Sequence, residues 1–119
     1  MKKLHKNLKP NFYLEIGIFK GRSYKLSTCE SIGIDPDPKV DYDSIYRITS
    51  DEFFLNHSDV LKNKTIDLSY IDGMHLFEYV LRDFINVEKY CNKQSVIIID
   101  DVFPVHYKQA ERVRQIRRP

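Results

Sequence analysis

The residues best suited to chemistry in this chain are acidic side chains that lie in or directly after short apolar runs. Glu15 is followed by Gly17 and Gly21, two of only four glycines among 119 residues. Glycine tolerates positive φ and lets a backbone approach a ligand closely. The GxxxG spacing differs from the dinucleotide fingerprint GxGxxG and from the phosphate-binding loop that ends in GK[ST]. We expect either a ligand-binding loop here or a turn that needs glycine for steric reasons.

A second acid, Asp35, stands twenty residues after Glu15 and begins the run Asp35-Pro36-Asp37-Pro38. In nucleotide-binding folds, an acid at the end of the second strand accepts hydrogen bonds from the ribose hydroxyls. Asp-Pro pairs are also common in ordinary turns. The combination with the preceding glycine loop favours a ribose-binding role for Asp35.

Three more carboxylates and a histidine follow two later apolar runs. Asp72 and His75 come after the first run, and Asp100 and Asp101 come at the end of the second. If the two strands are neighbours, the three carboxylates crowd together and repel each other unless a cation or protons intervene. We therefore predict Mg²⁺ bound by Asp72, Asp100 and Asp101, with helix caps and strand-end turns as the alternative. His75 is the predicted general base, because a histidine pKa of about 6.5 suits proton transfer near neutrality.

The elements that must position these residues are predicted from the apolar pattern. Short β-branched runs bounded by turn residues indicate buried parallel strands, which we place at 12–16, 31–34, 45–48, 66–71 and 95–99. Helical spacing predicts helices at 22–28, 51–61 and 75–90, and a basic helix at 109–118. Alternating strands and helices indicate an α/β fold whose ligands bind at the carboxyl ends of the strands.

Composition limits the class of protein and its partners. A chain of 119 residues with 42% apolar and 30% charged residues is a single globular domain. The basic ends carry +4 over residues 1–10 and +3 over 110–119, and the body between them carries −5. This is not the charge pattern of a nucleic-acid-binding face, and no apolar run reaches the ~18 residues of a membrane span. We expect a cytoplasmic protein with solvated termini and with neither a nucleic-acid nor a membrane partner.

Together these features resemble the class I S-adenosylmethionine-dependent methyltransferases. The nearest likeness is to small-molecule O-methyltransferases of the macrocin and catechol types. The resemblance spans about residues 12–105 and depends on five segments in the family's order, at 13–23, 32–38, 49–54, 70–75 and 96–102. It implies a Rossmann-like fold with about five parallel strands in the order 3-2-1-4-5.

The resemblance also implies roles for single residues. The methionine part of S-adenosylmethionine would be lined by Glu15, Gly17, Gly21 and Ser23, its ribose held by Asp35, and its adenine placed beside Ser50. Asp72 would contact the cofactor, take part in catalysis and bind the metal together with Asp100 and Asp101. The methyl acceptor would be a small hydroxylated molecule whose oxygen is held in line with the sulfonium methyl group and takes that methyl. His75 would accept the proton of the reacting hydroxyl.

The chain departs from the family's pattern at both ends. Family members continue with two strands that complete the acceptor pocket, whereas this sequence ends soon after the fifth predicted strand and has no helical lid before the first. We predict a sheet truncated after strand five, whose open apolar edge pairs with a second copy or a partner subunit. Two other functions remain open. One is a non-catalytic cofactor-binding protein or partner-completed fragment, and the other, from the spacing of Asp35 and Asp37, is a haloacid dehalogenase-type phosphatase.

Overall fold

The β-branched runs form the sheet that positions the candidate site. A computed structural model describes residues 2–72, 77–100 and 113–117. The strands are β1 (Phe12–Ile16), β2 (Glu30–Ile34), β3 (Ile45–Tyr46), β4 (Leu68–Ile71), β5 (Val96–Asp100) and β6 (Val113–Arg117). Their order across the sheet is β3-β2-β1-β4-β5-β6, with the first five strands parallel and β6 antiparallel to β5. The predicted α/β Rossmann-like class and the order 3-2-1-4-5 are confirmed.

Three α-helices accompany the strands in the described ranges: α1 (Lys2–Leu8), α2 (Ser50–Asn56) and α3 (Phe77–Glu88). Short 3₁₀ turns occupy Tyr24–Leu26 and Ser58–Leu61, so the helix predicted at 22–28 is a single turn and the one at 51–61 is divided. None of the helices in these ranges is long and apolar enough to cross a membrane.

The sheet has an apolar layer on each face, because successive side chains of a strand point to opposite sides. Leu14 and Ile16 of β1 pack on one face with Phe53 of α2 and with Val80 and Val87 of α3. The other face carries a second cluster that contains Tyr13, Tyr24, Leu68, Ile98 and, from α1, Leu4 and Leu8. Glu15 is two residues from Tyr13 and therefore belongs to this second face, at the carboxyl end of β1.

The central strands end level with one another. Ile16 pairs with Ile34 on one side and with Ile71 on the other, and Ile71 pairs in turn with Ile99. Every loop that leaves these strands therefore starts from the same edge. This is the edge at which ligands bind in parallel α/β sheets.

The structure differs from the sequence-based predictions at both ends of the chain. The helix predicted at 109–118 is wrong for residues 113–117, which form β6 and pair along all five residues of β5. The apolar edge of β5 offers unpaired backbone groups, and satisfying them outweighs a helical preference. The edge of β5 that was expected to be open is therefore covered by β6. Association with a second copy or a partner subunit stays a prediction, but an open β5 edge no longer supports it.

At the other end, residues predicted as solvated form α1. His5 of this helix is buried against Tyr13, with ring centroids 4.6 Å apart in an edge-to-face arrangement. Leu4 and Leu8, one turn apart, pack on the same sheet face as His5. This helix lies on the sheet face rather than over the carboxyl ends of the strands.

Candidate functional site

The loop after β1 is held by the carboxylate of Asp35. The backbone amides of Ile18 and Phe19 donate to Asp35 Oδ2 at 2.8 and 2.9 Å, and the amide of Asp37 donates to Oδ1 at 2.8 Å. Gly17 begins the loop with φ of 88°, a conformation that favours glycine. Phe19 is held at φ of 52° by its bond to Asp35. Asp35 therefore joins the ends of β1 and β2 and shapes the loop between the two cavities described below.

These hydrogen bonds limit the number of ligand groups that Asp35 can bind. The residue is only 6% exposed, and a carboxylate has about four acceptor positions, three of which the loop amides use. One position on Oδ1 remains. Asp35 can accept one ribose hydroxyl without losing a loop contact, rather than both hydroxyls of a ribose.

Gly21 has a different reason to be glycine. Its φ is 77°, and a Cβ atom at this position would lie 3.0 Å from Cγ2 of Val40. Gly21 does not line either of the two cavities at this edge of the sheet. Gly21 is therefore the second bend of the loop, between Lys20 and Arg22, which do line the first cavity.

The first cavity, of about 330 Å³, lies beside β1 and β4 and is lined by Glu15, Gly17, Ile18, Phe19, Lys20, Arg22, Ser23, Tyr70 and Asp72. It is here called the acid cavity. The backbone of Asp72 is fixed beside the end of β1, because its amide donates to the carbonyl of Ile16 at 2.7 Å. This lining contains three of the residues that were expected, from the family resemblance, to surround the methionine part of the cofactor: Glu15, Gly17 and Ser23.

Glu15 is the unusual group of the acid cavity. It is 2% exposed, and Tyr13 donates its hydroxyl proton to Glu15 Oε1 at 2.5 Å. Burial raises the pKa of Glu15 to about 8. The hydrogen bond from Tyr13 lowers this pKa, and the negative charges of Asp72 and Asp35 raise it. With this pKa, the carboxyl is mostly protonated at neutral pH. An adjacent cation would lower the pKa of the group and favour the carboxylate.

A second cavity, of about 460 Å³, lies on the α2 and α3 side and is here called the apolar cavity. Its apolar walls are Ile16, Phe19, Ile34, Pro36 and Tyr79, and its polar groups include Asp35, Thr49, Ser50, Asp51 and Asp83. Gly17 and Phe19 line both cavities, so the two adjoin over the end of β1. Thr49 caps α2 by accepting from the Glu52 amide at 3.1 Å, which places Ser50 at the cavity wall.

Sequence reasoning missed Asp83. It is 2% exposed and accepts a hydrogen bond from Ser50 Oγ at 2.6 Å. Burial raises its pKa to about 6. A signal existed in the sequence, because Asp83 falls at helical spacing with Val80, Phe84 and Val87, on the core-facing side of α3.

The predicted metal site is not supported by the described residues. Asp72 follows β4 and Asp100 ends the neighbouring β5, but Tyr70 donates to Asp100 Oδ2 at 2.8 Å. Within residues 2–72, 77–100 and 113–117, no three His, Cys, Asp or Glu side chains are grouped so that they could hold a metal ion. Asp101 and His75 lie outside the described residues. The two carboxylates that are described do not fit a magnesium site by themselves.

Comparison with known proteins adds two findings. Residues 14–102 match the profile of a family described as a methyltransferase domain. The chain is also similar to an uncharacterized protein of Acanthamoeba polyphaga mimivirus, with 33% identity over 112 residues that cover 75% of this chain and 50% of the relative. The chain thus spans about half the length of this curated relative. The matched family segment contains every described residue that lines the two cavities.

Proposed function

The chain belongs to the methyltransferase domain family, and we propose that it binds S-adenosylmethionine across the acid and apolar cavities and methylates an oxygen of a small hydroxylated molecule. The observation that carries the proposal is the meeting of the two cavities at Gly17, with a buried carboxyl on one side and an apolar slot on the other. S-adenosylmethionine has a matching distribution of charge, because one of its ends is a charged amino-acid group and the other is a flat purine base.

The acid cavity suits the amino-acid end. Glu15 and Asp72 offer carboxyl groups for the α-ammonium, and Lys20 and Arg22 line the same cavity and offer cations for the α-carboxylate. A zwitterion needs both kinds of partner in one place. Ionising Glu15 becomes favourable when the ammonium lies next to it, since an opposite charge lowers the pKa of a carboxyl group.

The apolar cavity suits the nucleoside end. Ile16 and Ile34 supply apolar walls, and the remaining acceptor position of Asp35 suits one ribose hydroxyl. Ser50 lies at the same wall, beside the position proposed for the base. The volume of about 460 Å³ is within the usual range of small-molecule pockets.

The transfer step asks little covalent chemistry of the protein. The sulfonium methyl is reactive by itself, and the main task is to hold an acceptor oxygen in line with it. Asp72 lines the acid cavity, and we assign to its second carboxyl oxygen the orientation of the acceptor hydroxyl, while the first oxygen faces the ammonium. His75 remains the proposed acceptor of the hydroxyl proton. Because the described residues do not fit a magnesium ion, no step is derived through a metal.

Calorimetric titration with S-adenosylhomocysteine tests the binding half of the proposal. Binding should weaken at least about tenfold in Glu15→Gln, because a charged partner of the ammonium is lost. The exposed Glu52→Gln on α2 is the matched control and should bind like the unaltered protein. Absence of binding in the unaltered protein would contradict the proposal.

A second assay follows labelled methyl from S-adenosylmethionine to a panel of catechols and sugars. Transfer to an oxygen supports the proposed reaction. Binding without transfer to any acceptor would instead favour the non-catalytic alternative. The phosphatase interpretation is wrong, because the family is that of methyltransferases and Asp35, its supposed nucleophile, is buried under three amide hydrogen bonds.

A further inference from the structure

Asp83 is a buried acid for which the proposed transfer step has no use. It lies on the core-facing side of α3, is 2% exposed, and lines the apolar cavity with Ser50. Acidic side chains are rarely buried to this degree without full pairing. The packing of α3 on the sheet does not by itself explain why an acidic residue occupies this buried position.

The hydrogen bonds of Asp83 are incomplete within the described part of the chain. An ionised carboxylate has about four acceptor positions, and there the only donor to Asp83 is Ser50 Oγ, at 2.6 Å from Oδ1. The neighbouring Arg82 extends toward Asp51, with 3.5 Å between its Nη1 and Asp51 Oδ2. Since a buried charge with one donor is costly, a ligand that brings an N–H to Asp83 would gain affinity.

The charges around the apolar cavity point to the same kind of ligand group. Its described lining contains the carboxylates of Asp35, Asp51 and Asp83 and no lysine, arginine or histidine. Asp35 is largely occupied by the loop amides, and Asp51 is partly exposed and paired with Arg82. Among the described acids of this lining, Asp83 is the buried acceptor that remains, and the apolar side chains of Ile16 and Ile34 line the same cavity.

We propose that Asp83 selects the adenine base, by accepting a hydrogen bond at Oδ2 from the exocyclic amine of the purine. The inference depends on the proposed function, because it assumes that the nucleoside end occupies the apolar cavity. Ser50 acts as a positioning residue, since its hydroxyl holds Oδ1 and leaves Oδ2 for the base. Burial raises the pKa of Asp83 only to about 6, so the group is mostly a carboxylate at pH 7.5 and can accept this bond.

The test compares two ligands on the same protein at pH 7.5. One is S-adenosylhomocysteine, and the other is its purine analogue, in which hydrogen replaces the 6-amino group. The unaltered protein should bind the analogue about tenfold to a hundredfold more weakly, the range expected for one hydrogen bond to a charged group. In Asp83→Leu the ratio of the two affinities should fall to near one, because leucine is similar in size and offers the base no hydrogen-bond acceptor. Asp59→Leu, at an exposed aspartate outside both cavities, is the matched control and should keep the full ratio.

The ratio separates recognition from a structural role, because a loss of stability affects both ligands equally. A ratio near one in the unaltered protein would overturn the assignment, and this measurement needs no variant to fold. A full ratio retained by Asp83→Leu would overturn it as well. If S-adenosylhomocysteine does not bind at all, the proposed function fails together with this inference, whereas binding without discrimination removes the inference alone.

Discussion

Raising the pH from 6 to 8 should tighten the binding of S-adenosylhomocysteine about fiftyfold, because Glu15 must lose its proton to hold the α-ammonium of the ligand. With a pKa of about 8, the ionised fraction of Glu15 is about 1% at pH 6, about 10% at pH 7 and about half at pH 8. The affinity should follow this fraction. The facing hydroxyls of Tyr13 and Tyr70 do not titrate in this range, since burial raises the pKa of each above its usual value near 10.

The measurement is calorimetric titration at the three pH values, repeated in two buffers with different enthalpies of ionisation. At pH 7 about 0.9 proton should be released for each ligand bound, which the difference between the buffers reports. Glu15→Gln cannot release this proton and should show a much flatter dependence on pH. Glu52→Gln should keep the profile of the unaltered protein. A flat affinity between pH 6 and 8 in the unaltered protein, or an equal slope in Glu15→Gln, would refute the reasoning.

The same carboxyl has a predictable effect on stability. Its pKa in the folded state, about 8, is above the ordinary value of 4.5, so the folded state binds the proton more tightly. The stabilisation is complete below about pH 4.5 and is lost as the pH rises through 8, by up to about 5 kcal/mol. In thermal unfolding, the melting temperature of Glu15→Gln should therefore rise relative to that of the unaltered protein between pH 5 and 8. A constant difference in melting temperature over this range would contradict the assigned pKa.

Three further substitutions test the neighbours of this group. Tyr13→Phe removes the hydrogen bond that lowers the pKa of Glu15, so the pH profile of binding should move upward by about one unit, and an unmoved profile would contradict the contact. Asp35→Asn should weaken S-adenosylhomocysteine binding by about 1–3 kcal/mol and speed hydrogen exchange at the loop amides, whereas unchanged exchange would show that other contacts hold the loop. Gly17→Ala should lower the free energy of unfolding by about 1–2 kcal/mol in urea titrations, because alanine is strained at positive φ; equal stability would show that the loop can adopt another conformation.

Much of the sheet could be predicted from the sequence, because its strands are short apolar runs between turn residues. The predicted first strand has the bounds of β1, and the predicted second, third and fifth strands overlap β2, β3 and β5 with small differences at their ends. The edge at which the acids gather follows from that topology. The role of Asp35 in holding the loop could not be predicted, since it depends on the backbone angles of residues 17–19.

The core-facing position of Asp83 could have been predicted from its helical spacing, but two of the pairings could not, because they join residues that are distant in the chain. Asp83 meets the hydroxyl of Ser50, which is 33 residues away in the chain and on another helix. Residues 113–117 contain arginines that are compatible with a helix, and their strand conformation comes from the unpaired edge of β5. Tertiary contacts often override local preference in this way.

The first seven-residue helix has a consequence for how the protein is prepared. Leu4, Leu8 and His5 of α1 cover part of the sheet face on which Tyr13 lies, and burial lowers the pKa of His5, which favours its neutral form. This cover insulates the strand beneath it from water. A purification tag that displaces α1, or a proteolytic cut before Pro10, would let solvent reach Tyr13 and bring the pKa of Glu15 down toward its ordinary value. Two preparations with identical cavity linings would then differ in ligand affinity at pH 6.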